Sequence, residues 1–350
     1  MRKKNLLDEI LIPFLAVITA LFIGAFVILW SGQSPLFAYL VLFKGSLGSL
    51  RGISETIVNT TPLIFTGLAV AFAFRCGLFN IGGEGQYIVG LMAAAVAGFA
   101  IKGLPSFLHI MVVIAAGGLA GGLWASIPGI LKAKLGVHEV INTIMMNYIA
   151  LYTTHYLVNG PFKAEGPLPV TPRIQPTAEL YRFSPIMRAN TGIFIALLCA
   201  VVAYYLLWET TLGYEIRAVG LNQSAAEYGG ISVPKNMVLA MIISGAFAGI
   251  AGSVQVAGVQ HRFYDIFSFT GYGFDGIAVA LLGRNHPLGV VFAALLFGIL
   301  ATGSMQMQSV AGIPKEVTGL IQFMIIIFVI ADELIRYIYR VKKKEVVANG

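Results

Sequence analysis

The amino-acid sequence predicts an all-α integral membrane protein of about ten transmembrane helices, and three observations carry the prediction. Hydrophobic residues make up 57% of the 350 and charged residues only 11%, with mean hydropathy +0.83, whereas soluble domains carry about 25% charged residues. The apolar residues fall into runs of about twenty, the length that crosses a bilayer core of ~30 Å. The 40 glycines follow no Gly-X-Y period and sit inside those runs, as membrane helices tolerate.

Taken in order, the runs predict spans over 11–30, 57–74, 86–101, 107–130 and 140–158, then 191–208, 237–258, 271–283, 288–304 and 317–335. The first follows Arg2-Lys3-Lys4 but has no small-x-small cleavage site, and it is long enough to span, so it reads as a helix with Trp30 at an interface. The eighth is short and rich in glycine. Ten spans put both termini on one side. Placing them in the cytoplasm collects Arg2, Lys3, Lys4, Arg75, Lys132, Lys134, Arg217, Lys235, Arg284 and the run from Arg336 to Lys344 there, fourteen of the 23 basic residues; this is the positive-inside rule. The chain reads as one transmembrane domain over 1–350, with an extracellular loop at 159–190 and a cytoplasmic loop at 209–236. The outer loop holds Pro161, Pro167, Pro169, Pro172, Pro176 and Pro185, which predicts a semi-rigid, irregular connection or a docking surface.

Composition and motifs narrow the function classes. The net charge of +7 and pI near 9.3 come from basic residues that border apolar runs, which indicates anionic lipid and excludes nucleic acid as the expected partner. His138-Glu139 opens a helix, but the residue four after His138 is Asn142, so the H-E-x-x-H zinc motif is incomplete. There is no Gly-x-Ser-x-Gly and no Gly-Lys pair, so neither a hydrolase elbow nor a phosphate-binding Walker loop is present. Cys76 and Cys199 form no C-x-x-C pair and read as packing residues. The chain is therefore not expected to be an enzyme, and it carries no cofactor or metal of its own.

Polar groups are costly in hydrocarbon, so those inside the spans are the candidate functional residues. Two glycine-rich segments stand out: Gly77-Leu78-Phe79-Asn80-Ile81-Gly82-Gly83-Glu84-Gly85-Gln86 ahead of the third span, and Gly271-Tyr272-Gly273-Phe274-Asp275-Gly276 ahead of the eighth. Five spans separate them, an odd offset, which predicts two pseudo-symmetric halves of opposite topology; glycine-interrupted segments at matching places in such halves point to a transport pathway. Asn80, Glu84, Gln86 and Asp275 are its candidates, joined by Asn142, Asn147 and Tyr148 of the fifth span. The competing reading is that the carboxylates cap helix starts and the amides bond between helices. Asn59, Thr60, Thr61 and Gln255 share that ambiguity. Gly117, Gly118, Gly121 and Gly122 in the fourth span, with Gly245 and Gly249 in the seventh, form G-x-x-x-G patterns that let backbones approach closely.

After the sixth span the chain reads Gly213-Tyr214-Glu215-Ile216-Arg217-Ala218-Val219-Gly220, then Leu221-Asn222-Gln223-Ser224-Ala225-Ala226-Glu227-Tyr228-Gly229-Gly230. This resembles the coupling loop of bacterial ATP-binding cassette (ABC) import permeases, Glu-Ala-Ala-x-x-x-Gly, with Ala225, Ala226 and Gly230 matching and Ser224 in the glutamate position. With the Asn80–Gln86 segment and Gly273-Phe274-Asp275-Gly276-Ile277-Ala278-Val279-Ala280-Leu281-Leu282-Gly283, the chain is similar over nearly its whole length to the branched-chain amino acid, ribose and nucleoside permeases, and closest to permeases of nucleoside uptake. The resemblance implies a fold like the vitamin B12 and ribose importers and a bacterial plasma-membrane location. It also implies a second, different permease chain, an extracellular substrate-binding lipoprotein, and an ATPase subunit that carries the ATP and Mg. That ATPase would dock on Ser224, Ala225, Ala226, Glu227 and Gly230, with Ala225 and Ala226 on one side of a short helix. A simple sugar such as ribose is the alternative substrate, and a secondary transporter with a coupling proton on Glu84 or Asp275 is the alternative mechanism.

Overall fold

The computed structural model describes residues 6–331 and Tyr339. The basic residues at 2–4, 336, 340 and 342–344, and the last residues of the tenth predicted span, lie outside that range. The described residues form thirteen α-helices, with β-pairing confined to two isolated bridges. Long apolar segments fold this way because a helix satisfies every backbone N–H and C=O internally. Among the described residues, four helices can cross a membrane by length and composition, or up to six when each of two bent pairs counts as one span.

The chain divides into two compact units, one of residues 1–52 with 299–350 and one of Ile53–Gly298. In the first, α1 (Leu6–Trp30) turns back at Gly32, at 117° between Phe14–Trp30 and Pro35–Leu47, into α2 (Pro35–Leu47), a short helix not foreseen from the sequence. Gly24 of α1 packs on Ile321 of α13 (Lys315–Ile330), and Gly45 of α2 packs on Gln306 of α12 (Pro287–Ala311).

The second unit holds the long α3 (Leu50–Arg75), α4 (Gly83–Ala100), α5 (Ser106–Leu135), α6 (Glu139–Asn159), α7 (Gly192–Trp208), α8 (Thr211–Leu221), α9 (Gln223–Tyr228), α10 (Val233–Gln255) and α11 (Tyr272–Leu282). Its centre is the triple contact of α4, α5 and α10. A Cβ added to Gly249 would overlap the Gly117 carbonyl, one on Gly121 the Gly245 carbonyl, and one on Gly90 the Gly249 backbone. The G-x-x-x-G patterns of the fourth and seventh spans thus face each other, with Gly90 completing the seam. In lipid such close backbone approach, with its dispersion contacts, drives association.

Each end of this unit gathers basic residues. At one, Arg75 donates from Nε to the Asn285 carbonyl at 2.9 Å and from an Nη to the Arg284 carbonyl at 3.3 Å, and its guanidinium lies over Trp208, which Arg217 also approaches. At the other, residues 160–190 make no α-helix but are stitched to the chain beyond α10. Thr171 N–H donates to the Phe263 carbonyl, Ile174 to His261, Leu180 to Ala257 and Gln175 to Gly98 at the end of α4. The proline-rich loop is irregular, as its composition predicts, and pinned by backbone bonds.

Candidate substrate pathway and coupling segment

The two glycine-rich segments meet. Between α3 and α4 the chain runs without helix through residues 76–82, and between the π-turn Val256–Gln260 that ends α10 and α11 it is largely irregular again. The starts of α4 and α11 come together where a Cβ on Gly273 would overlap the backbone of Glu84, so glycine is required on the α11 side. Glu84, fully buried, fills the junction. Its Oε1 accepts from Thr270 N–H at 2.6 Å, Thr270 Oγ1 at 2.7 Å and Gly271 N–H at 3.0 Å; its Oε2 accepts from Gly273 N–H at 2.6 Å. All four partners donate, as a carboxylate requires. Each helix N-terminus carries about half a positive charge, and Glu84 sits in the first turn of α4 with its carboxylate on the amides that open α11.

The amides among the predicted residues build the wall behind it. Asn80 Nδ2 donates to Gln86 Oε1 at 3.0 Å and to Ser244 Oγ at 2.8 Å, Gln86 returns a bond to Asn80 Oδ1 at 3.1 Å, and Ser244 donates to the Ala69 carbonyl. Asn147 reaches from α6 to accept from Gly85 N–H at 2.8 Å and to donate to the Ile81 carbonyl at 3.0 Å. All three amides are buried, so they hold the non-helical 76–82 segment in place. Asn142, half-buried on α6, has an Nδ2 with no hydrogen-bond partner. Tyr148 and Asp275 lie on the surface of the chain near the junction, with the Tyr148 ring 5.0 Å from Phe269 and Phe269 5.6 Å from Phe274. Thr270, Ser244, Phe269 and Phe274 are additions to the sequence-derived set. Backbone amides that cradle a carboxylate leave no side-chain signature, but Thr270 directly before Gly271 was a findable one.

The segment after α7 bends by 71° into α8. Thr210 caps α8, accepting from Gly213 N–H, and Asn222 caps α9, accepting from Ala225 N–H at 3.0 Å. Ala226 is buried, whereas Ser224, Ala225, Glu227 and Gly230 are exposed. Consecutive helical residues point about 100° apart, so Ala225 and Ala226 do not share a side as expected; Ala226 seats α9 and Ala225 is left outside. Gly230 ends the segment at φ +79°, with Leu221 and Tyr228 almost wholly exposed beside it. Gly220, in the last turn of α8, packs against the Arg75 carbonyl so closely that a Cβ would overlap it. Arg75 is the last residue of α3, immediately before the stretch that leads to Glu84. The α8–α9 segment and the junction are thus joined through the contact of Gly220 with Arg75 and Gly77.

A family model described as branched-chain amino acid transport system / permease component matches residues 52–330. The chain belongs to this family. The permease is 45% identical to the guanosine ABC transporter permease protein NupP of Bacillus subtilis, over 97% of this chain and 98% of the relative. It is 37% identical to the nucleoside ABC transporter permease protein NupB of Lactococcus lactis, over 93% and 92%, and 33% identical to the glucose ABC transporter permease protein TsgB13 of Haloferax volcanii, over 94% and 89%. No solved structure matches. The permease is a multi-pass membrane transport subunit rather than an enzyme.

Proposed function

We propose that this permease carries nucleosides across the bacterial plasma membrane by alternating access, driven by ATP hydrolysed on a separate subunit. The observation that supports it most is end-to-end similarity to two permeases named for guanosine and nucleosides, at 45% and 37% identity. In this reading the chain is one domain of ten spans with cytoplasmic termini, inverted halves and a fold like the vitamin B12 importers. A second permease, a binding lipoprotein and an ATPase with its ATP and Mg complete the assembly. The ATPase docks on the exposed face of α9, at Ser224, Ala225, Glu227 and the Gly230 turn, with Ala226 anchoring the helix beneath. Motion there reaches the Arg75–Gly77 turn through Gly220, and from it the Glu84 junction. Asn80, Glu84, Gln86 and Asn147 support the pathway, and Asn142, Tyr148 and Asp275 line it.

The nest around Glu84, with three backbone N–H donors on one carboxylate, supports a structural role for that residue. The test is uptake of tritiated guanosine and of tritiated ribose by cells with and without the permease gene. Guanosine uptake that depends on the gene, falls on ATP depletion and survives a protonophore supports the proposal. Uptake of ribose alone, or uptake abolished by the protonophore at constant ATP, overturns it.

A further inference from the structure

The outward face of α6 carries Tyr148, Tyr152 and Tyr156, each four residues from the next and 44%, 67% and 70% exposed. Four residues advance a helix about 6 Å, so the three rings form a stripe about 12 Å long. It starts at the level of the Glu84 junction, where the adjacent Asn147 bonds the start of α4. It ends near Asn159 and His155, which bond Asp265 at 2.8 and 2.9 Å. The irregular segment before α11 and the first turn of α11 run alongside and add more rings: Phe267, 78% exposed, lies 6.0 Å from the His155 ring, Phe269 lies 5.0 Å from Tyr148, and Phe274 of α11 lies 5.6 Å from Phe269.

This stripe differs from a plain apolar helix face in where it leads, running from the outer bonds of His155 and Asn159 to the buried junction of two helix starts. At its inner end Asp275 is exposed, and Thr270 turns its hydroxyl onto buried Glu84. A carboxylate in a membrane bundle faces protein or water, which favours a polar path over hydrocarbon beside the inner end.

We propose that Tyr148, Tyr152 and Tyr156 with Phe267, Phe269 and Phe274 form an aromatic track along which the flat base of the substrate stacks on its way to the Glu84 junction. The proposal rests on the nucleoside reading above and extends it, assigning recognition to the base. Stacking is tolerant of sequence and of base identity because every base has a π-face, so successive rings can pass one ligand along without a deep well at any position. The tyrosine hydroxyls and Asp275 supply acceptors for the ribose hydroxyls and the N–H groups on the edge of a purine.

The test uses the complete transporter, with its partner subunits, in cells that lack other nucleoside uptake. Tyr148→Leu and Phe274→Leu keep the surface apolar and remove the ring; Tyr148→Phe keeps the ring. Each Leu variant is expected to raise the KM for tritiated guanosine by about 5- to 100-fold, the range that stacking on one ring carries, while Tyr148→Phe stays within about 3-fold of the parent. Free guanine in excess should inhibit the parent more than Tyr148→Leu. Unchanged guanosine KM in both Leu variants overturns the track while leaving the nucleoside reading intact. A parent that takes up no guanosine refutes that reading itself. Leu variants that no longer co-purify with the second permease, when Tyr148→Phe does, show the stripe to be an interface between permeases and overturn the track.

Discussion

Replacing Glu84 by Gln tests the junction most directly. The glutamine amide can keep three of the four hydrogen bonds by placing its oxygen where Oε1 stands, toward Thr270 and Gly271, but its NH2 then faces the Gly273 N–H. Stranding that buried donor costs about 1–3 kcal/mol. The three remaining bonds lose their charge assistance, about 0.5–1 kcal/mol each. The sum is roughly 2.5–6 kcal/mol, and because the contacts to Thr270 and Gly271 are only part-buried, water can recover part of it, which leaves about 3 kcal/mol. At 1.4 kcal/mol per decade this is about a hundredfold more opening of the segment. Cys76, fully buried at the start of that segment, reports it: in a Cys199→Ala background, a membrane-permeant thiol reagent should label Cys76 about a hundredfold faster in Glu84→Gln than in the parent. Thr270→Val removes the hydroxyl donor, and in its background the Glu84→Gln effect should shrink. Labelling as slow as in the parent, with uptake intact, would refute the claim that this carboxylate holds the two helix starts together.

Three further outcomes are expected. Gly230→Val meets no steric obstruction but must occupy φ +79°, a conformation that costs a β-branched residue about 1–2 kcal/mol or more; it should abolish uptake and ATPase co-purification while membrane insertion measured by protease protection stays normal. Gly249→Val places a side chain into the Gly117 carbonyl and should leave little folded protein in a mild-detergent size-exclusion profile, whereas Gly319→Ala, where nothing lies within 4 Å, should elute as the parent. His261, outside the spans, is buried beside Arg182, Arg173 and Glu179. Burial first, and then the two arginines, push its pKa below the ordinary value against the opposing pull of Glu179. The folded state therefore favours neutral His261, so its contribution is present above about pH 6.5 and lost as pH falls through the lower folded value. Hydrogen exchange over residues 174–182 should speed up in that window, and the acceleration should be absent in His261→Gln.

The pinning of the outer loop has the same origin as the junction. In both places the chain leaves helix, and each freed backbone group that is buried must find a partner within the protein. The 76–82 segment finds the amides of Asn80 and Asn147, and the segment before α11 finds Glu84. Three of the polar residues that stand out in the sequence, Asn80, Glu84 and Asn147, bond backbone groups at these non-helical stretches and helix starts.

How much was legible follows from the physics of each signal. Membrane class came from composition, because a bilayer admits only long apolar segments. The seam of Gly117 and Gly121 against Gly245 and Gly249 came from spacing, because only small residues allow backbones to touch. The importance of Glu84 and of the segment around Asp275 came from the cost of a carboxylate among glycines in an apolar run. Hydropathy windows passed over α2, α8 and α9, since short amphipathic or interfacial helices do not hold an apolar window of nineteen residues. Tyrosines at 148, 152 and 156 are visible as an i, i+4, i+8 series, but only the exposure of that face separates a surface stripe from core.

What the sequence alone determined is the kind of molecule, the close-packed glycine contacts and the set of costly polar residues, each of which is a local consequence of moving a residue type from water into hydrocarbon. Tertiary structure decided that Glu84 is a cap on the start of another helix, that Ala226 faces inward while Ala225 does not, and that Gly220 touches the turn leading to the junction. Those depend on which distant segments meet, and the partner of Glu84 is a row of backbone N–H groups, which every non-proline residue offers and no sequence position advertises.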